Sequence, residues 1–233
     1  MTKAVLFDFT QTLVNSIDGF HAAERQAEVR LCAALGLSSW EDFLAEYRES
    51  RAEFQSAAPN FPRPDLWRTI YARHDQQPDE NALAEWELEY WETVADGTVL
   101  FPEAIRTLTW LSDSFSLALV TNHQGPGDHS RARFPTLQSF FDVIVVGGEG
   151  SAPAKPDPAP FQQCLERLGV AAADAVHVGD DWHVDVCGAR NAGIRPIWLK
   201  HRSLHRRWPD GEPGVRVIEK LDDLLDPAKA LLA

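Results

Sequence analysis

An α/β fold, with a central parallel sheet and a helical segment inserted after the first strand, is predicted by three features of the sequence. Short apolar or β-branched runs recur along the chain, each followed by polar or glycine-containing residues. Helical periodicity fills the intervals between the later runs, at the spacing of crossover units. The interval between the first two runs, from about Gly19 to Trp91, carries helical patterns and almost nothing strand-like.

The strands are expected at Ala4 to Phe7, Ser116 to Val120, Val143 to Val146, Ala175 to Val178 and Arg195 to Leu199. Both faces of a parallel sheet are covered, so its strands need nearly continuous apolar runs. Helices are expected at Glu103 to Leu111, Ala159 to Leu168 and Val184 to Ala192. The core is therefore predicted to be a three-layer, Rossmann-like arrangement. Four amphipathic helices, His21 to Leu35, Trp40 to Ser56, Pro64 to His74 and Asn81 to Trp91, are punctuated by Pro59, Pro62, Pro64 and Pro78. A crossover is normally much shorter. The division expected is a core at residues 1–16 and 96–233 with a helical cap at 17–95, hinged near Asn15-Ser16 and returning near Gly97 and Pro102. The cap aromatics Trp40, Phe43, Tyr47, Phe54, Phe61, Trp67, Tyr71, Trp86, Tyr90 and Trp91 lie at helical spacing and are assigned to packing.

Composition narrows the function. With 233 residues and 44% apolar content the chain can bury a sizeable core. Acidic residues outnumber basic ones 35 to 22, a formal charge of −13, which disfavours nucleic acid and anionic membranes as partners. The one compact basic stretch, His201 to Arg207, is assigned to a solvated loop or short helix. No apolar run is long enough to span a bilayer, and Ala4 to Phe7 is expected to be a strand rather than a signal peptide. Cys32, Cys164 and Cys187 are odd in number and unpaired in spacing, as expected of free thiols in a reducing cytoplasm. The pattern of the cap helices fits a monomer or a homodimer equally.

The chemistry lies just past the strands, where open parallel sheets bind ligands. Asp8 follows the first strand in Val5-Leu6-Phe7-Asp8-Phe9-Thr10-Gln11-Thr12-Leu13-Val14. Leu119-Val120-Thr121-Asn122 ends the second, and Lys155-Pro156-Asp157-Pro158 follows the third. Val178-Gly179-Asp180-Asp181 ends the fourth, with Asp185 and Gly188 close behind. Carboxylates this dense repel one another unless a cation joins them, and an oxygen-rich set suits magnesium better than zinc.

In this order the four segments resemble the motifs of the haloacid dehalogenase-like hydrolase superfamily, and the inserted helices stand where that superfamily places one of its cap types, a subfamily IA-like arrangement. The resemblance implies that Asp8 is a nucleophile forming an aspartyl phosphate. It implies a magnesium ion held by Asp8, the backbone carbonyl of Thr10 and Asp180, with Asp181 or Asp185 orienting ligand waters. Thr121, Asn122 and Lys155 would bind the phosphoryl group, and Lys155 would also offset the charge on Asp8. The expected substrate is a small phosphorylated metabolite.

Thr10 departs from this pattern. Superfamily phosphatases generally place a second aspartate here, which protonates the leaving group and then activates water. Threonine cannot do so, and the loss of general acid–base catalysis is worth about 10²–10⁴-fold. Poor leaving groups suffer most, whereas acyl phosphates and anhydrides suffer less. Asp18, His21, His123 and His183 are sequence neighbours able to replace the acid. Two alternatives accompany the phosphatase reading. One is a 2-haloacid dehalogenase, whose family also lacks the second aspartate but resembles Ser-Ser-Asn-x-x-Asp at the fourth motif. The other is a weakly active or noncatalytic protein that binds metal or ligand.

Overall fold

The computed structural model describes residues 2–57, 61–126, 129–200 and 213–226. The basic stretch His201 to Arg207 lies outside the described residues. Two compact units result: Met1–Asn15, Val99–His123 and Phe134–Ala233 form one, Ser16–Thr98 and Gln124–Arg133 the other.

The first unit is built on six parallel strands. β1 (Ala4–Phe7), β4 (Ser116–Asn122), β5 (Val143–Gly147), β6 (Ala175–Gly179), β7 (Arg195–Leu199) and β8 (Arg216–Ile218) are arranged in the order β5-β4-β1-β6-β7-β8. β1 lies between β4 and β6, so the chain leaves it to one side first and to the other later, the topology that opens a crevice at the strands' carboxyl ends. Phe7 is paired with Leu119 on one side and Val178 on the other, which brings the ends of three strands level. Alternation along β1 feeds both faces. Val5 and Phe7 join Leu108 and Leu111 of α5 (Ala104–Ser112), whereas Ala4 and Leu6 join Phe161 and Cys164 of α8 (Ala159–Leu168). Helices thus cover both sides of the sheet, the three-layer α/β arrangement that the alternation of runs predicts.

The five predicted strands are all present, with β4, β5 and β6 running slightly further. Three strands carry no clear sequence signal. β2 (Val14–Asn15) and β3 (Val99–Leu100) form an antiparallel pair too short to show a period, and β8 is a three-residue edge strand exposed at Arg216 and Val217. The helix expected from Val184 to Ala192 begins instead as a π-helical turn, Trp182–Cys187, before α9 (Gly188–Asn191), and two single-turn helices, α6 (His129–Ala132) and α7 (Pro135–Gln138), lie between β4 and β5 in the chain.

The second unit packs α1 (Ile17–Ala34), α2 (Trp40–Ala57), α3 (Arg63–Arg73) and α4 (Glu80–Asp96) around a core of their own. Pro64 opens α3, where a missing N–H costs nothing, and the Asp79 carboxylate caps α4 by accepting from Asn81 N–H. All ten cap aromatics assigned to packing lie in or against this core. At its centre the buried Glu24 carboxylate accepts from the Tyr47 hydroxyl at 2.7 Å and the Tyr90 hydroxyl at 2.8 Å. The Arg63 guanidinium, stacked over the Phe61 and Tyr90 rings, lies 3.5 Å from the same carboxylate. Close approach of α1 and α4 needs glycine: a Cβ on Gly19 would meet the Val94 carbonyl oxygen at 2.3 Å. Among the described residues no helix is long and apolar enough to cross a membrane.

Candidate active site

Four strand ends of the first unit deliver the site. Asp8 is the first residue beyond β1 and is anchored by its N–H donating to the Val178 carbonyl at 2.9 Å. Thr121 and Asn122 close β4, and Thr121 is buried there. Lys155 arrives on the loop after β5, and Asp180 follows β6 directly.

Lys155 joins these segments. Its side chain is only 1% exposed, and Nζ donates to Asp8 Oδ1 at 2.8 Å and to Asp185 Oδ1 at 2.7 Å. Burial alone would lower its pKa, but the charges of Asp185 and Asp8 outweigh burial and raise it, so the group is an ammonium. Asn122 holds the lysine backbone: its amide donates to the Lys155 carbonyl at 2.9 Å and accepts from the Lys155 N–H at 2.8 Å. The family resemblance implied a phosphate-binding role for Asn122, and this pairing of its side chain with the loop after β5 carries no sequence signal.

The acidic members are Asp8, Asp180 and Asp185, all buried, each with an oxygen within 4.8 Å of the others. Burial raises the Asp8 carboxyl to about 6, with Lys155 opposing the rise and Asp185 adding to it. Asp185 goes the other way. Burial pushes it up, but the Lys155 charge and a hydrogen bond from His177 hold it well below the ordinary carboxylate range. Three carboxylates with one ammonium make a formal deficit of two positive charges when all are ionised. An all-oxygen donor set with that deficit fits a hard divalent cation.

Asp181 and Asp185, four residues apart in the fourth motif, are placed differently. Asp181 Oδ1 accepts from the His183 and Val184 N–H groups, both at 2.9 Å, and so caps the π-helical turn. Asp185 turns inward, its Oδ2 accepting from the Asp181 N–H at 3.0 Å. Gly179 makes room for it, because a Cβ there would lie 2.3 Å from the Asp185 Cγ. Asp180 is held through its main chain, whose carbonyl accepts from the buried Trp198 indole at 2.9 Å. The Thr12 hydroxyl stands 3.4 Å from Asp8 Oδ2, a long contact, and Thr10, two residues past Asp8, is half-buried and bridged to Val14. Of the neighbouring acid candidates, His183 is exposed and His123 half-buried.

An open parallel sheet with a lysine-bridged cluster of buried aspartates at its switch point defines an α/β protein with a donor set able to coordinate a divalent cation. Residues 2–193 match the haloacid dehalogenase-like hydrolase family, and the chain belongs to it. It is 30% identical to a glyceraldehyde 3-phosphate phosphatase of Methanopyrus kandleri over 99% of both chains. Among solved structures it is similar to a HAD phosphatase from Thermococcus onnurineus, with TM-score 0.68, 27% identity and 96% of each chain covered. It is also similar to a 2-haloacid dehalogenase from Pseudomonas syringae pv. tomato, with TM-score 0.66, 29% identity, and 99% of this chain and 98% of that one covered.

Proposed function

We propose that the protein is a magnesium-dependent phosphohydrolase for a small phosphorylated metabolite, in which Asp8 attacks phosphorus. The observation that carries this reading is the buried Asp8–Lys155–Asp185 array beside Asp180. In the proposed division of the chain, residues 1–16 and 96–233 bear the chemistry and residues 17–95 form a helical cap. Magnesium would be held by Asp8, the Thr10 carbonyl and Asp180, with Asp181 and Asp185 about it, and would supply positive charge to the phosphoryl oxygens. An Asp8 carboxylate oxygen forms the new bond to phosphorus while the bond to the leaving oxygen breaks, and that oxygen takes the electron pair. Lys155 balances charge on Asp8 and on the phosphoryl group, and Thr121 with the Asn122 backbone donates to its oxygens. Water then attacks phosphorus, the bond to the Asp8 oxygen breaks, and phosphate leaves with Asp8 restored as a carboxylate and the proton passed to solvent.

Thr10 offers the departing oxygen no carboxylic proton. Substrates whose leaving group is stable as an anion, such as acyl phosphates or anhydrides, are therefore favoured over simple alkyl esters. The phosphatase named for the M. kandleri relative acts on an alkyl phosphate, so leaving-group dependence separates the two substrate classes. A second reading, dehalogenation, is favoured by the likeness to the P. syringae enzyme and by the absence of a second aspartate at Thr10. The paired Asp180 and Asp181 weigh against it.

The test is phosphate release from a series of aryl phosphates, with magnesium and with chelator, in wild type and Asp8→Asn. Release that requires both the metal and Asp8, and falls steeply as the leaving-group pKa rises, supports the proposal. Halide release from a 2-haloacid without magnesium, and no phosphate release, overturns it.

A further inference from the structure

His177 is a polar residue in the middle of an apolar strand. The register of β6 sets it between Leu6 of β1 and Pro196 of β7, and it is 1% exposed. Its ring meets Phe161 of α8 edge-on, with centroids 4.9 Å apart. Burying an imidazole in such a place costs free energy unless its polar atoms are used. The atom used is Nε2, 3.1 Å from Asp185 Oδ1, the same oxygen that accepts from Lys155 Nζ at 2.7 Å.

We infer that His177 is a positioning residue of this site: its Nε2–H donates to Asp185 Oδ1 and fixes the carboxylate that shares Lys155 with Asp8. Two arguments lead there. A carboxylate only accepts, so the proton between the two residues belongs to Nε2 and the tautomer is set. Asp185 is then held at both oxygens, by His177 and Lys155 at Oδ1 and by the Asp181 N–H at Oδ2. Without the histidine, Oδ1 is held only by a flexible ammonium that also serves Asp8. Rotation of Asp185 would then draw Lys155 from Asp8 and change the field at the acidic cluster. His177 touches neither substrate nor metal in this scheme. Its action runs through Asp185, as partners outside a metal's ligand set commonly orient the groups within reach of the ion.

This inference rests on the cluster binding a divalent cation, and the experiment separates the two claims. Magnesium binding is measured by calorimetry on the full chain for wild type, His177→Gln and His177→Leu, with unfolding followed for each. Glutamine keeps an amide donor near the Nε2 position, whereas leucine fills the space without one. The expected result is a magnesium dissociation constant raised about tenfold or more in the leucine variant, and within about threefold of wild type in the glutamine variant. A merely structural role would lower both variants' stability and leave both affinities alone, and that result overturns the inference. The imidazole nitrogen spectrum of wild-type protein gives an independent decision should the leucine variant not fold. A proton on Nε2 whose signal moves on magnesium addition supports the positioning role, and an Nε2 without a proton refutes it. Failure of wild type to bind magnesium refutes the metal-dependent function and the affinity claim together, while the imidazole spectrum still decides whether His177 holds Asp185.

Discussion

Replacing Lys155 with methionine keeps an unbranched side chain one atom shorter and removes its charge. In the native site the ammonium stands 2.8 Å from Asp8 and 2.7 Å from Asp185. At an effective dielectric constant near 20, each contact represents about 6 kcal/mol of gross attraction. Desolvation offsets much of this, and breaking a buried pair by removing one partner costs about 3–5 kcal/mol net. Proton uptake limits the loss. Burial has already raised Asp8 to about 6 with the lysine present, and without it the carboxyl rises further. Because the folded pKa exceeds the unfolded one, the folded state holds a proton the unfolded state lacks, so stability falls as pH rises through that window. In wild type the window runs from about 4 to about 6. In the variant it extends above 6. Urea unfolding of metal-free protein at pH 5.5 and pH 8 is the assay. A loss of about 3–5 kcal/mol at pH 8, smaller at pH 5.5, is expected. Equal stability of variant and wild type at pH 8, or a loss independent of pH, would refute the assignment of Lys155 as counter-ion to both carboxylates.

Three further outcomes follow from the same geometry. Gly179→Ala places a Cβ 2.3 Å from the Asp185 Cγ, so the carboxylate must move. Magnesium affinity measured by calorimetry should fall at least tenfold, and an unchanged affinity would dissociate Asp185 from the cation site. Below pH 6 a proton competes with the cation for Asp8, so magnesium affinity should weaken about tenfold per pH unit there and level off above it. Calorimetry in buffers of different ionisation enthalpy would show one proton released at pH 5 and almost none at pH 8. In the cap, Glu24→Ala leaves the buried Arg63 guanidinium and the Tyr47 and Tyr90 hydroxyls without their shared acceptor. A stability loss of about 3–5 kcal/mol in urea unfolding is expected, and a change under 1 kcal/mol would show the cluster to be dispensable.

The sequence carried the sheet because the central strands are buried on both faces and therefore nearly continuously apolar, as in Ala4 to Phe7. It carried Asp8, Thr121, Lys155 and Asp180 because each stands beside such a strand end or on the loop after it. What it could not carry are contacts between distant residues of ordinary type. Asn122 looks like any turn asparagine until the backbone of Lys155, 33 residues on, is found against its amide. Asp181 and Asp185 are equally acidic on paper, and only the π-helical turn sends one to the chain's own N–H groups and the other inward. His177 did leave a trace, a polar side chain within the run Ala175 to Val178. An apolar-run reading passes over one such residue because interior histidines are usually satisfied locally.

The charge arrangement links stability to function more tightly than any single residue does. A rise of the Asp8 carboxyl from 3.8 to about 6 is a penalty on the ionised, metal-free site of about 3 kcal/mol at neutral pH. The gathering of Asp8, Asp180 and Asp185 around a single lysine makes the metal-free site a place where added positive charge is favourable, and a cation bound there would return the penalty as affinity. Thr10 leaves that balance intact, because it removes a proton donor and no member of the cluster. Under the proposed mechanism the chain would therefore keep its nucleophile and cation site while the set of leaving groups it expels narrows to those that depart without a proton.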